Sequence, residues 1–179
     1  MSATVRRVPG FGAVALLIAA LFALAGGCEG GERAGPGAGG PSPGERLRAE
    51  VVRVVDGDTI EVELEGEVED VRYIGVDTPE TVDPDEPVQC FGPQASDFNK
   101  ELVAGEDVTL VFDHELRDAY GRLLAYVYVG DVLVNAELVA RGFARTLEIA
   151  PNTSKAGRLA RLEARAGRAG RGLWGTCEA

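Results

Sequence analysis

Two pairs of carboxylates stand close together in this 179-residue chain, Asp56 and Asp58 in VVDGDT and Asp77 and Glu80 in VRYIGVDTPE. An Asp-Gly pair suits a turn between two apolar-patterned runs, but it leaves the second aspartate unexplained. Asp58 stands in period-two register with Ile60, Val62 and Leu64, so a strand that buries those three turns Asp58 to the same side. A buried carboxylate without a partner is costly; the position calls for a cation or strong donors. If the stretch carrying Asp77 and Glu80 leaves a neighbouring strand beside the DGD turn, four like charges converge. A hard divalent cation is what holds such a cluster, and an all-oxygen set suits calcium. Arg72 and Arg122 add two guanidinium groups. A metal that polarises one phosphoryl oxygen, with guanidinium groups on the others, supplies the needs of phosphodiester hydrolysis. Arg72 and Asp77 lie an odd number of residues apart, so a straight strand would separate them. Their convergence needs a bend, and Gly75 stands where one would fall.

The elements that must position these residues are legible from periodicity. RAEVVRVVD and DTIEVELEG read as a hairpin around Asp-Gly, the second run alternating Ile60, Val62, Leu64 with Glu61, Glu63, Glu65. EVEDVRYIGVD reads as a third strand. Pro79, Pro84 and Pro87 break the next segment into a loop. GPQASDFNKELVAGE predicts a helix with Pro93 in its first turn, a stripe of Ala95, Phe98, Leu102 and Val103, and Gly105 at its end. DVTLVFD and GRLLAYVYVGD predict two more strands joined by a polar turn, HELRDAY, which holds the single histidine, His114, as a solvated residue. VNAELVARG predicts a second helix closed by Gly142, and residues 151–174 a third, entered at Pro151 and Asn152. This order predicts an α+β domain, a partly open five-stranded OB-fold β-barrel with three helices. With one histidine, two-histidine ribonuclease chemistry and HExxH zinc sites are excluded.

With these residues in place, DGDT, VRYIGVDTPE, DAYGRLLAYVY, LVARGFAR and the terminal GLW resemble the staphylococcal (micrococcal) nuclease family, the thermonucleases, from about Val51 to Trp174. The resemblance implies an OB-fold enzyme that cleaves DNA and RNA with calcium and leaves 3′-phosphate ends. Carried over by motif position, Asp58, Asp77 and the Thr78 main-chain carbonyl would hold calcium, with Asp56 supporting the site through water. Arg72, Glu80 and Arg122 would be the catalytic trio: Glu80 orients or deprotonates a water, Arg72 bridges phosphate oxygens, and Arg122 stabilises transition-state charge. Tyr120 would contact phosphate through its hydroxyl. The chain departs from the pattern at Ala119, in place of a phosphate-touching lysine, and at Leu147 and Ile149, in place of tyrosines that stack on a base.

Ahead of this domain, residues 1–27 combine Arg6 and Arg7, an apolar run and small residues, the order of a secretory signal peptide. LAGGC resembles a bacterial lipobox, which would make Cys28 a lipidated N-terminus; an ordinary signal peptide containing a cysteine is the alternative. Residues 28–46 then read as the lipidated cysteine and a Gly/Pro-rich tether, and residues 47–179 as the exported domain. The expected setting is extracytoplasmic, anchored by lipid to a bacterial membrane, with a monomeric chain. If Cys28 is lipidated, Cys90 and Cys177 have one possible pairing, the alternative being two separate buried thiols. Without Arg6 and Arg7, 16 basic side chains face 29 acidic ones, a net charge of −13. That field repels polyanions, so a nucleic-acid reading must find local positive charge; Arg158, Arg161, Arg165 and Arg168, with Lys155 and Arg171 nearby, supply a basic helix. Two other readings stand beside the nuclease: a non-catalytic nuclease-like module that binds nucleic acid or protein, and a lipoprotein that sequesters calcium. The second of these leaves Arg72 and Arg122 without a role.

Overall fold

The structure, a computed structural model, describes residues 40–81 and 87–177. The signal peptide and Cys28 lie outside the described residues, and so does most of the tether. Among the described residues no helix is long and apolar enough to cross a membrane.

Five strands make the barrel: β1 (Arg46–Val54), β2 (Thr59–Leu64), β3 (Glu67–Tyr73), β5 (Asp107–Arg117) and β6 (Leu123–Val129). Their inward residues follow the predicted alternation. Ile60, Val62 and Leu64 are buried on β2 while Glu61 and Glu63 face outward, and Val108, Leu110 and Phe112 do the same work on β5. β1 pairs with both β2 and β5, and β5 with β6. A parallel pairing, Val71↔Leu123 through Tyr73↔Ala125, closes the ring. The barrel is therefore closed where a partly open one was expected. β1 begins at Arg46, one residue before the expected start of the domain. Two short pairs complete the strands: β7 (Val132–Leu133) extends β6, and β4 (Val76–Asp77) pairs with β8 (Arg145–Thr146).

α1 (Gly92–Val103) and α2 (Val134–Arg141) fall where the periodicity puts them, and Gly142, at φ 80°, closes α2. Two expectations need correction. HELRDAY is not a turn throughout: β5 runs on to Arg117, which pairs with Leu123 and is bound by Glu69 of β3, so the reversal is confined to Asp118–Gly121. His114 is thus an exposed strand residue. The third helix is also shorter, α3 spanning Ala156–Arg168, with a separate turn α4 (Leu173–Thr176). The break lies at Gly170 and Gly172, both at positive φ. Gly172 packs so tightly that an added Cβ would lie 2.2 Å from the Gly142 carbonyl oxygen. Asn152, expected to start α3, is instead buried and bound to the Glu115 main chain by both ends of its amide.

Candidate active site

The hairpin between β1 and β2 is not a two-residue turn around Asp-Gly. Residues 55–58 form the connection, with Val55 and Asp56 N–H groups both donating to the Thr59 carbonyl. Asp56 Oδ1 accepts from the Asp58 N–H at 3.0 Å, which fixes the second aspartate relative to the first. Gly57 is required by contact: a Cβ there would meet Thr78 side-chain atoms at 2.6–2.7 Å. The DGD turn and the DTPE stretch thus touch across that glycine. Asp58 itself is 4% exposed. Its Oδ2 accepts from the Thr78 N–H at 2.8 Å and faces Arg72 Nη1 at 3.1 Å, and its Oδ1 accepts from the Thr59 hydroxyl at 3.2 Å. Burial pushes the Asp58 carboxyl up to about 7, with the Arg72 guanidinium pulling it down and the Asp56 charge pushing it further up.

The bend that Arg72 and Asp77 require lies at Ile74–Gly75, with Gly75 at φ 78°. Across it the Arg72 guanidinium reaches back, donating from Nη1 to the Val76 carbonyl at 2.8 Å and from Nη2 to Asp77 Oδ1 at 3.0 Å. Two buried asparagines support this geometry from elsewhere in the chain. Asn99 of α1 donates to the Asp56 carbonyl at 2.9 Å and accepts from the Tyr73 hydroxyl at 3.0 Å. Asn135 of α2 donates to the Ile74 carbonyl at 2.8 Å and accepts from the Val127 N–H at 2.9 Å. The sequence reading missed both. Their signal was a polar residue on an otherwise apolar helix face.

Arg122 arrives by the parallel β3–β6 pairing, which sets Arg72 opposite Leu124. It is held by Asp118, a further residue the sequence reading missed: Nε donates to Asp118 Oδ2 at 2.7 Å and the Arg122 N–H to Oδ1 at 3.0 Å. The same Oδ1 accepts from the Tyr120 N–H at 3.0 Å, and Gly121 N–H closes the turn on the Asp118 carbonyl. Asp at the first position and Gly at the fourth of a turn was the available sign. Tyr120 is 87% exposed, with Arg122 5.4 Å from its ring centre.

Asp56, Asp58, Arg72, Asp77, Thr78, Glu80, Tyr120 and Arg122 line one cleft of about 540 Å³. Beside it, a cavity of about 330 Å³ shares Arg72, Tyr120 and Arg122 and is walled by Leu147 and Ile149. The donors that face the cleft fit calcium in kind, since all are hard oxygens and Asp58 is a buried carboxylate that a divalent charge would keep ionised. Among the described residues, however, no three acidic, histidine or cysteine side chains already stand together as a metal cluster. Asp77 is turned to Arg72 and Asp56 to the Asp58 amide. The basic helix is narrower than expected: Lys155 lies over the Tyr126 ring at 4.8 Å and Arg171 donates to the Ala140 carbonyl. Arg158, Arg161, Arg165 and Arg168 are exposed. Cys90 and Cys177 are joined in a disulfide.

The family model described as "Staphylococcal nuclease homologue" matches residues 70–176. The chain is 42% identical to a thermonuclease of Staphylococcus hyicus over 124 residues, 69% of this chain and 73% of the relative. It is 50% identical to a thermonuclease of Staphylococcus intermedius over 102 residues, 57% of this chain and 61% of the relative. It is also 50% identical to endonuclease YncB of Bacillus subtilis (strain 168) over 103 residues, 56% of this chain and 49% of the relative. A closed five-stranded barrel with these helices, a family match from the end of β3 through β5, β6 and the helices, and relatives of this identity lead to one assignment: the chain belongs to the staphylococcal nuclease family.

Proposed function

We propose that this protein is a calcium-dependent endonuclease that hydrolyses phosphodiester bonds of DNA, RNA or both by in-line attack of water. The nuclease class follows from the family. The observation that carries the rest is the pairing of a buried carboxylate, Asp58, with two oriented guanidinium groups on one cleft.

Asp58, Asp77 and the Thr78 carbonyl would hold calcium, with Asp56 supporting them through water. Calcium, when bound, supplies positive charge to a phosphoryl oxygen and makes nearby water more acidic. The chain's own groups do the remainder. Glu80 accepts a proton from the attacking water. Arg122, held in direction by Asp118, would meet the phosphate oxygens with little reorganisation as charge builds on them, and Arg72 would do so once Asp77 turns from it to the metal. Tyr120, exposed at the rim, offers its hydroxyl to the phosphate. Leu147 and Ile149 give the adjoining cavity an aliphatic wall, which accommodates a base without an aromatic platform. The proposal includes export, lipid attachment at Cys28 and action as a monomer at a membrane surface.

Hydrolysis of single-stranded DNA and RNA, measured with calcium and then with excess chelator, tests the reading. Hydrolysis that calcium restores is expected. Nucleic-acid binding with no turnover under any condition would make the chain a binding module. Membrane partition of the full chain and of Cys28→Ala tests the anchor, and release of the variant is expected.

A further inference from the structure

We infer that Gln89 is a positioning residue for Glu80 and that the Cys90–Cys177 disulfide holds it in place, so that turnover depends on the oxidised state of this bond. The inference rests on the reading of Glu80 as the group that accepts a proton from water.

Glu80 and Gln89 are paired in both directions. The Gln89 N–H donates to the Glu80 carbonyl at 2.9 Å, and Gln89 Oε1 accepts from the Glu80 N–H at 3.1 Å. The Thr81 N–H then donates to Glu80 Oε1 at 2.7 Å, so the direction of the carboxylate depends on the same piece of backbone. Gln89 is itself exposed. Hydrogen bonds at an exposed position compete with water, and they keep one register only when something else limits the chain.

That limit comes from both sides of Gln89. Cys90 is bonded to Cys177, at the end of α4. Cys177 N–H donates to the Leu173 carbonyl, Leu173 N–H donates to the Gly142 carbonyl, and the Leu173 side chain is buried. Gln89 also accepts, at its carbonyl, from the N–H of Gly92 at the start of α1. Gly92 lies against the catalytic stretch: a Cβ there would be 2.6 Å from Thr81 Cγ2 and 3.0 Å from the carbonyl oxygens of Pro79 and Glu80. The constraint thus runs from the buried Leu173 through the disulfide and Gln89 to the Glu80 amide. Reduction by a dithiol breaks one S–S bond, adds two electrons and two protons to give thiols at Cys90 and Cys177, and oxidises the dithiol to its own disulfide. The covalent tie to Cys177 is then lost, and the Gln89 side is held by non-covalent contacts, among them its hydrogen bonds to Glu80, the packing around Gly92 and the stacking of Phe91 on Phe143. A chain still in a reducing compartment would hydrolyse slowly and speed up where disulfides form.

The test uses the full chain with calcium and single-stranded DNA. Gln89→Met removes the acceptor; kcat should fall about tenfold with KM within about twofold, as for a misplaced proton acceptor. Gln89→Glu keeps an acceptor oxygen and should retain most of kcat. Dithiol treatment, or the pair Cys90→Ser with Cys177→Ser, should lower kcat by a similar factor. Adding Gln89→Met to that pair should cost little more, because both act on one amide. An unchanged kcat in Gln89→Met or in the reduced protein overturns the inference, and so does a loss confined to KM. Hydrogen exchange at the Glu80 amide reads the same contact without turnover: it should quicken in Gln89→Met and on reduction, and unchanged exchange also overturns it. A parent chain that hydrolyses nothing would instead reject the nuclease reading, leaving the exchange result to decide the contact.

Discussion

The arginines of the cleft and the arginines of α3 carry the same charge in opposite settings. Arg72 is surrounded: Asp58 and Asp77 take its two terminal nitrogens, and the Tyr73 and Val76 carbonyls accept from one of them. Arg122 is fixed by Asp118. The side chains of Arg158, Arg161, Arg165 and Arg168 make no ion pair or hydrogen bond among the described residues. At 3.6 residues per turn they occupy an arc of about 80° along about 15 Å of helix. The first group is charge held in one direction by the fold, the arrangement that its proposed role at a developing anion calls for. The second is charge left available to solution, acting at a distance and screened by salt beyond about 8–10 Å. On a chain whose net charge is −11, one set is neutralised locally and the other is left exposed, where it would offset the repulsion of the proposed polyanion substrate.

Substitutions can break this division or sharpen it. The largest effect is expected at the aimed charge. Arg122→Ala should lower kcat by about 10² or more while sparing calcium affinity and fold; steady-state kinetics with calorimetric calcium titration checks it, and an undiminished kcat would remove Arg122 from the mechanism. Next comes the cavity wall beside it. Leu147→Tyr with Ile149→Tyr should lower KM by the equivalent of about 1–3 kcal/mol per stacked base, and an unaltered KM would place both residues outside the substrate path. Asp118→Ala removes what aims Arg122 but leaves its charge, so kcat should drop about tenfold, less than on deleting the arginine. Changing the four α3 arginines to glutamine should leave kcat alone and raise KM several-fold on long single strands. It should also reduce the slope of log K against log salt by at most about 3. A slope that stays the same would make the stripe a solvated face only, and lost binding to anionic vesicles would point to the membrane instead.

The smallest effect belongs to a paired arginine that does not line the cleft. Arg117 binds Glu69 through both oxygens, at 2.8 and 2.6 Å, and holds its carboxyl below the usual carboxylate range. Its contribution is therefore present above the unfolded glutamate value of about 4.3 and fades as pH falls through the folded one. Glu69→Gln should change stability by less than about 1 kcal/mol at neutral pH and should lessen the acid sensitivity of the denaturation midpoint.

Alternation along the chain already settled which faces of the strands turn inward, and with them that Asp58 is buried with Ile60, Val62 and Leu64. It also gave α1, α2 and the cap at Gly142, because local backbone geometry alone sets which residues share a face. The motifs then named the cleft residues, and the cysteines had one pairing once Cys28 was set aside. Tertiary structure decided what meets them. The Ile74–Gly75 bend returns Arg72 to Asp77, Asn135 steadies that bend from 61 residues away and Asn99 steadies the DGD turn from 43. Asp118 on Arg122 and Gln89 on Glu80 carry no period to betray them, and the end of α3 depends on how closely Gly172 meets Gly142. Asp118 and Gln89 act across a turn and a loop whose course the pattern of apolar residues does not set. The two asparagine contacts exist only once the helices pack on the barrel, since tertiary packing, rather than any local preference, brings groups so far apart in the chain within hydrogen-bond reach.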